Sequence, residues 1–382
     1  MRRLFRLLLI NQILANAGDA LYIVALIAMV YKHTQQASAA AAVPVVITLS
    51  LFISGFCLPY ALHRVKHGQI LLVTQLLKTL VLSFICYQGY PLYVLFALVA
   101  IIAFLDGFAR PVQTSFIPKL STDVLKANSI VQISNQVIQL MSWPLGSTLV
   151  VLYSPKHVLL LALLLYAFSL VAGGVFQSLL HEEKPEALTT STWKEMLVGW
   201  QVVLSQRFVR IITILLALES MSSAVWISAI LLVYVHALGV SEIWWGYINS
   251  TFFIGLLVGG IAILRLHSYV NPRALLMFTA AITSATTIGF SINRSIMIAL
   301  LLTFLFGIAD QMKQIHLHTM LQQKISQTKL PFVYATHQSV TSLSFSMGTL
   351  LFGSIADEMN VFAAFVVAGG IYMLGVLMIK KM

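Results

Sequence analysis

Long apolar runs separated by short polar segments dominate the chain. Each run is close to the roughly 20 residues that a helix needs to cross a bilayer, so the pattern predicts twelve membrane-spanning helices. We number the predicted spans 1 to 12, and they cover residues 7–31, 38–62, 69–88, 91–115, 128–152, 157–180, 208–236, 243–264, 273–291, 295–315, 332–353 and 360–380. The predicted fold class is therefore an all-α membrane protein.

The composition agrees with this pattern. Of 382 residues, 59% are hydrophobic and 9% are charged, whereas soluble domains carry about 25% charged residues. Twelve spans leave too little chain for a separate soluble enzyme domain, and no nucleotide-binding or hydrolase motif is present, so we do not expect an enzyme. Cys57 and Cys86 lie in apolar runs without paired spacing, which argues against disulfide frameworks and zinc modules. We expect no cofactor and no metal.

The basic residues are concentrated on one side of the predicted spans. That side carries seventeen Lys and Arg residues, the other carries three, and three more lie within spans. Positively charged loops remain in the cytoplasm, so both termini are expected there. The formal net charge of +11 is thus a feature of membrane topology, and we expect contact with the lipid bilayer but not with nucleic acid.

The longest polar segment divides the spans into six and six. We predict an N-terminal six-helix bundle over 1–180, a cytoplasmic linker over 181–206 and a C-terminal six-helix bundle over 207–382. Apolar residues at helical spacing in the second half of the linker favour a helix in the membrane interface. A plain linker is the alternative.

An internal repeat relates the two halves. Residues 104–110 of span 4 and 304–310 of span 10 are identical at four of seven positions, and spans 1 and 7 align with Asp19 opposite Ser223. Both matches fall where a duplication of six spans would put them. The repeat therefore predicts two related six-helix units.

Two six-helix repeats around a central cytoplasmic loop resemble the major facilitator superfamily of transporters over nearly the whole chain. The loop between spans 2 and 3 is similar to that family's Gly-x3-Asp-(Arg/Lys)-x-Gly-(Arg/Lys) motif; it keeps Arg64 and Lys66, but His63 stands in place of the Asp. In span 5, residues 143–147 resemble the Gly-Pro-x-Gly-Gly signature of proton-coupled exporters: Pro144 and Gly146 match it, while Trp143 and Ser147 replace glycines. An ordinary proline kink is the alternative for span 5.

Short motifs between residues 110 and 129 resemble the drug:proton antiporter group, which includes macrolide-efflux proteins and the enterobactin exporter. This resemblance implies a monomeric secondary active transporter in the cytoplasmic membrane that exports an amphipathic small molecule by proton antiport and alternating access. Two alternatives stay open. The first is an exporter of a specific endogenous metabolite, siderophore or lysolipid, and the second is a non-transporting sensor or assembly partner.

Ionisable residues inside the spans form the candidate site, because such residues are costly in hydrocarbon unless they are paired or face water. The family resemblance implies that spans 1, 4, 7 and 10 line a central cavity. Asp19 in span 1 and Glu219 in span 7 are the candidates for proton coupling, since a buried acid can exchange a proton for cargo. The alternative is a structural acid bonded to a neighbour, such as Asn16 or Ser222.

Four further residues are candidates for a gate or for ion pairs. Arg110 and Asp310 occupy equivalent repeat positions and are expected either to pair with each other or to form the intrahelical pairs Asp106–Arg110 and Asp310–Lys313. Lys78 in span 3 is expected to snorkel or to pair with a neighbouring helix. The side chains expected to line a substrate cavity are Tyr22, Gln136, Gln139, Trp226 and Gln338. For the amides, helix–helix packing is the alternative.

Overall fold

The structure is a computed structural model that describes residues 3–34, 37–87, 90–181, 197–226, 228–241, 243–266 and 271–380. Every regular element in these ranges is helical. The first six helices are α1 Arg3–Thr34, α2 Ala37–Leu62, α3 His67–Tyr87, α4 Leu92–Leu120, α5 Val124–Leu152 and α6 Pro155–Leu179. The others are α7 Val198–Ser205, α8 Arg207–Ser223, a 3-10 turn Ala224–Trp226, α9 Ser228–Ala237, α10 Ile243–Leu266, α11 Pro272–Ile292, α12 Ile296–Lys324, α13 Leu330–Glu358 and α14 Val361–Ile379.

Within the described residues, eleven helices are long and apolar enough to cross a membrane. They correspond to every predicted span except the fifth, whose helix α5 is rich in amide side chains. The predicted ends agree with the observed ones to a few residues, except that α12 continues to Lys324 instead of ending at 315. Several polar residues of that extension, among them Thr319 and Gln322, are buried inside the protein. Hydropathy alone therefore predicted too early an end.

Span 7, predicted as one continuous helix, is broken. α8 ends at Ser223, and α9 begins at Ser228 after the 3-10 turn. α13 approaches this end of α8 closely, since a Cβ on Gly348 would lie 2.2 Å from the carbonyl oxygen of Met221. Residues 220–230 contain no proline or glycine, so no helix breaker signals the interruption. The expectation of an uninterrupted helix was wrong.

The backbone forms two compact units. Unit 1 comprises Met1–Asp123, Val137–Val202 and Ile325–Ser339, and unit 2 comprises Val124–Gln136, Val203–Lys324 and Val340–Met382. α5 and α13 are therefore each divided between the units. The domain boundaries at 180 and 207 stay a prediction.

Equivalent helices pack together in both units. In unit 1, α1 packs on α6, α2 on α4, and α3 on both α4 and α6. In unit 2, α8 packs on α14, α10 on α12, and α11 on both α12 and α14. The repeat matches span 1 to span 7 and span 4 to span 10. Under this matching, each packed pair of helices in unit 1 has its equivalent packed pair in unit 2. The packing thus follows the internal repeat seen in the sequence.

A close helix crossing positions α12 in unit 2. A Cβ on Gly255 of α10 would lie 2.5 Å from the carbonyl oxygen of Phe304, and one on Gly307 would lie 2.6 Å from that of Phe252. Small residues allow such backbone contact between membrane helices. The crossing lies one turn before Asp310 on α12 and fixes the position of that part of the helix.

The linker contains the short helix α7. Trp200 stacks on Phe56 of α2, with ring centroids 6.0 Å apart. A Cβ on Gly199 would lie 2.3 Å from the carbonyl oxygen of Phe332, so glycine permits this approach to α13. A helix thus covers part of the segment in which one was predicted, while residues 182–196 lie outside the described ranges.

Candidate functional site

Asp19 of α1 is bonded to Lys78 of α3. The Nζ atom of Lys78 lies 2.8 Å from Oδ1 of Asp19 and 3.1 Å from Oδ1 of Asp106 in α4. The Lys78 side chain is only 2% exposed, so it pairs with neighbouring helices and does not snorkel. One buried ammonium group therefore joins three helices of unit 1.

Arg110 completes this cluster. Its Nε atom lies 2.5 Å from Oδ2 of Asp106, which is one of the two intrahelical pairs considered for these residues. The Arg110 side chain is 54% exposed although it belongs to the spanning segment Leu92–Leu120. A guanidinium group facing lipid is costly, so we conclude that this face of α4 borders water.

Tyr166 of α6 is a member of the cluster that sequence reasoning missed. Its hydroxyl donates a hydrogen bond to Oδ1 of Asp19, and its ring centroid lies 4.9 Å from Nζ of Lys78. Gly18 provides the space, because a Cβ there would lie 2.6 Å from the Tyr166 ring. A glycine next to an intramembrane acid was the only sequence signal for this contact.

Glu219 of α8 is bonded to Lys313 of α12. Oε1 of Glu219 lies 3.1 Å from the Lys313 Nζ, and Oε2 accepts a hydrogen bond from Gln314 at 3.3 Å. Lys313 also lies 3.3 Å from Oδ1 of Asp310, the other intrahelical pair considered. The hydroxyl of Ser222 has no hydrogen-bond partner among the described residues. Glu219 is therefore held by Lys313 and Gln314 and not by Ser222.

The two clusters place their ammonium groups at matching points of the repeat. Lys78 is the twelfth residue of α3 and Thr283 is the twelfth of α11, and Lys313 donates to Thr283 Oγ1 at 3.5 Å. Tyr166 and Tyr372 are likewise the twelfth residues of α6 and α14. The Tyr372 ring centroid lies 5.4 Å from Nζ of Lys313. Each unit thus holds an ammonium group beside a tyrosine ring, supplied by α3 in one unit and by α12 in the other.

These ion pairs determine what the clusters can do chemically. An ion moved from water into a protein interior loses several kcal/mol of solvation, and only a well-placed partner offsets that loss. A carboxylate in either cluster can therefore change its charge only if another charge binds, leaves or moves. A change in the charge of Asp19 or Glu219 would therefore disturb an ion pair with a lysine on a different helix.

The two aromatic residues proposed as cavity walls contribute to the apolar cores. Tyr22 is buried and packs edge-on against Tyr166, with ring centroids 6.4 Å apart. Trp226 lies between Phe290 and Phe306, at centroid distances of 4.7 and 4.5 Å. The ring of Trp226 therefore packs inside unit 2, next to the interruption of span 7.

Gln338 joins α13 to two other helices of unit 1. Its Nε2 atom donates to Ser54 Oγ at 2.9 Å, and to the carbonyl oxygens of Leu51 at 3.0 Å and Gly107 at 3.2 Å. These contacts correspond to the helix-packing alternative for the amide side chains. Gln139 of α5 is partly buried.

In unit 2, amide groups connect the first part of α5 to α12. Asn128 donates to Thr319 Oγ1 at 3.0 Å and to Gln322 Oε1 at 2.6 Å. Gln136 donates to Gln311 at 3.4 Å. Neutral hydrogen bonds thus fasten the start of α5 to α12.

The basic loop between α2 and α3 uses its side chains for packing. The His63 ring lies 4.6 Å from that of Phe332, and the Arg64 guanidinium lies 3.7 Å above the Tyr60 ring and donates to its carbonyl oxygen. Lys66 directly precedes α3. None of these contacts involves the acid that the family motif carries in this loop.

The exporter signature of span 5 lies within α5. The side chains of Trp143 and Pro144 are outside the described part of the structure. A Cβ on Gly146 would lie 3.2 Å from Leu21 and 3.3 Å from Val24. At this glycine, α5 packs closely on α1.

Comparison with known proteins identifies a family and similar transporters. The family model of the Major Facilitator Superfamily matches residues 8–349. Two uncharacterized MFS-type transporters of Bacillus subtilis (strain 168) are similar to this chain. YfmI is 25% identical over 381 residues, with 95% of this chain and 92% of the relative covered, and YjbB is 26% identical over 377 residues, with 96% and 92% covered.

Solved structures of similar fold come from distant proteins. The human organic anion transporter MFSD10 (TETRAN) matches with a TM-score of 0.82 at 14% identity, covering 99% of both chains. The E. coli fucose:proton symporter FucP matches with 0.80 at 13% identity, covering 99% of this chain and 98% of that one. A bacterial homologue of the iron transporter ferroportin in the outward-facing state matches with 0.77 at 14% identity, covering 100% and 99%. These likenesses show the fold, and with the family model matching most of its length, the chain belongs to the Major Facilitator Superfamily of secondary transporters.

Proposed function

We propose that this protein exports an amphipathic small molecule in exchange for protons by alternating access. It lies in the cytoplasmic membrane with both termini on the cytoplasmic side, which the distribution of Lys and Arg supports. One observation carries the proposal: each unit buries carboxylates and a lysine within membrane-spanning helices. Such groups are expensive in a membrane and mark ion or proton pathways.

Asp19 and Glu219 are the proton-coupling residues in this proposal. Each carboxylate is bonded to a lysine of another helix, at 2.8 Å for Asp19 and 3.1 Å for Glu219. A proton that binds the carboxyl group neutralises it and breaks this interhelical ion pair. Proton binding thereby favours a different arrangement of the helices, which is the step that alternating access requires.

Asp106 and Asp310 make this step energetically accessible. When Asp19 takes up a proton, Lys78 keeps its bond to Asp106, and when Glu219 takes up a proton, Lys313 keeps its bond to Asp310. Neither protonation leaves an unpaired ammonium group in a buried position, which would cost several kcal/mol. Arg110 also pairs with Asp106 and offsets part of its charge.

The solved relatives support proton coupling and leave the cargo open. Proteins of this fold include a fucose:proton symporter, an organic anion transporter and a homologue of an iron transporter. The fold thus accommodates proton coupling as well as very different cargoes. The cargo has to be argued from the residues of this chain.

Efflux from proteoliposomes under an imposed pH gradient tests the proposal. A panel of amphipathic compounds, macrolides included, is compared between wild type, Asp19→Asn, Glu219→Gln and the control Glu358→Gln, which removes an exposed acid at the end of α13. We expect wild type and the control to move at least one compound only when the gradient is present, and one or both site variants to lose this coupling. If no compound moves, or if both site variants couple like wild type, the proposal is wrong.

A further inference from the structure

The ion-pair cluster of unit 2 contains one more acid than base. Glu219 and Asp310 both bond to Lys313, at 3.1 and 3.3 Å. Among the described residues, no other charged side chain forms an ion pair with these three. The single ammonium group offsets one carboxylate, so the cluster has one uncompensated negative charge when both acids are ionised.

The corresponding cluster of unit 1 is balanced, because its two acids, Asp19 and Asp106, face two bases, Lys78 and Arg110. The imbalance in unit 2 comes from one repeat position. Within the matching segments 104–110 and 304–310, Arg110 stands where the other half has Asp310. The second half thus carries an acid where the first half carries the base that completes its cluster.

The other groups that face the unit 2 cluster add no positive charge. The Thr283 hydroxyl of α11 lies 3.5 Å from the Lys313 Nζ, and the centroid of the Tyr372 ring of α14 lies 5.4 Å from the same atom. The Gln314 amide nitrogen lies 3.3 Å from Oε2 of Glu219. His316 lies three residues after Lys313 on α12 and is buried. Neither ring nitrogen of His316 has a hydrogen-bond partner within the described ranges, so the ring pairs with neither acid.

Asp310 is the accessible acid of the cluster. Its side chain is 23% exposed, compared with 7% for Glu219 and 0% for Lys313. Asp310 belongs to the spanning segment Ile296–Lys324, and a carboxylate facing hydrocarbon is costly. Its exposed face therefore borders water, and an ion that arrives from water meets Asp310 first.

We infer that Glu219, Asp310 and Lys313 form a binding site for one exchangeable positive charge, which is either a proton or the cationic group of a monovalent amphipathic cargo. The inference rests on the proposed antiport and specifies its cargo as a hydrophobic monocation. With a proton bound, one carboxyl group carries an O–H bond. When the cargo cation reaches Asp310, that bond breaks, the proton passes to water, and an ion pair between cargo and carboxylate takes its place. One positive charge replaces another, so the exchange is electroneutral.

Proton release on binding tests the site without transport. Ethidium, a hydrophobic monocation, is added to the purified protein in weakly buffered detergent solution that contains a pH indicator. We expect wild type and Glu358→Gln to release about one proton for each ethidium bound. Asp310→Asn should abolish the release and weaken binding by about tenfold or more, while Asp310→Glu, which keeps the charge, should retain both and show that the position tolerates substitution. Failure of wild type to bind ethidium, binding without proton release, or an unchanged Asp310→Asn variant would overturn the inference.

A transport assay distinguishes failure of this inference from failure of the proposed function. In proteoliposomes, we expect a pH gradient to drive ethidium transport at a rate that does not change when valinomycin and potassium impose a membrane potential. If the pH gradient drives only neutral or anionic compounds, or if the ethidium rate follows the potential, the cation site is wrong and antiport stands. If the gradient drives no compound at all while ethidium still releases a proton in detergent, antiport is wrong and the site stands.

Discussion

Lys313 of α12 donates a hydrogen bond to Thr283 of α11, and Thr283 occupies the repeat position that Lys78 occupies in α3. The buried ammonium group has therefore kept its place in the repeat while the helix that supplies it differs. The tyrosines at the twelfth positions of α6 and α14 lie beside that place in both units. This relationship suggests that the position of the positive charge matters more than the helix from which it comes.

Moving the lysine tests this relationship. Lys313→Met leaves the buried Glu219 and its neighbour Asp310 without their cation, and we expect the free energy of unfolding to fall by about 3 to 5 kcal/mol. Adding Thr283→Lys should restore most of this loss, because the new ammonium group starts from the position equivalent to Lys78. The measurement is thermal unfolding of the purified variants in detergent.

The matched control for that experiment is Thr287→Lys in the Lys313→Met background. Thr287 lies one turn further along α11 and is buried to the same extent as Thr283. We expect no recovery from it. Equal recovery from both positions would show that any nearby positive charge suffices, and recovery from neither would contradict the structural equivalence.

Tyr166→Phe removes the hydroxyl that donates to Asp19 and keeps the ring beside Lys78. Loss of a buried hydrogen bond to a charged group should lower stability by about 1 to 3 kcal/mol. Tyr372→Phe is the control, because the structure gives the Tyr372 ring a contact with Lys313 and the substitution preserves it. The stability of both variants is measured as the melting temperature in detergent. An equal loss of stability in the two would refute a specific role for the Tyr166 hydroxyl.

In the unit 1 cluster, the double variant Lys78→Met/Asp19→Asn should be more stable than Lys78→Met alone. Lys78→Met alone leaves Asp19 without a cation, and a loss of about 3 to 5 kcal/mol is expected. Combining it with Asp19→Asn should recover part of that loss, since Arg110 still holds Asp106. Chemical denaturation of the single and double variants measures the difference. A double variant less stable than Lys78→Met would contradict the pairing of Lys78 with Asp19.

Asn128 should control local opening at the start of α5. Asn128→Ala removes two hydrogen bonds to α12, and we expect backbone hydrogen exchange over residues 124–136 to accelerate by about tenfold or more. Ser129→Ala is the control, because within the described residues the Ser129 hydroxyl bonds to the carbonyl oxygen of Leu125 in α5 itself. Mass spectrometry resolves the segment. Similar exchange in the two variants would mean that the Asn128 contacts do not fasten α5.

Hydrophobic periodicity predicted the helices well but not the contacts between them. The order and approximate ends of most helices follow from the apolar runs, and the intrahelical pairs Asp106–Arg110 and Asp310–Lys313 follow from helical spacing. The bonds from Lys78 to Asp19 and from Lys313 to Glu219 depend on how helices are rotated and shifted against each other. The rotation and shift of one helix against another cannot be inferred from the hydrophobic pattern of a single sequence.

The misses have a common physical origin in tertiary packing. The break in span 7 occurs where α13 closely approaches α8, in a segment without proline or glycine. No sequence motif distinguishes Tyr166 from the other residues of its apolar helix, and its hydroxyl reaches Asp19 through the space left by Gly18. α12 continues past its predicted end into a polar segment. Several polar residues of that segment are buried in protein and not in lipid, so a hydrophobic pattern does not mark the end of the helix.

The most direct test of the central claim compares uphill transport with exchange in Glu219→Gln. A residue that carries the coupling proton is needed for transport driven by a pH gradient, but not for the exchange of labelled and unlabelled cargo at equal pH on both sides. We predict that proteoliposomes with Glu219→Gln lose pH-driven accumulation and keep cargo exchange at a reduced rate, because the cluster has lost one negative charge while Asp310 remains. Accumulation at the wild-type level in this variant would contradict the account, and so would loss of both activities in a variant that remains folded.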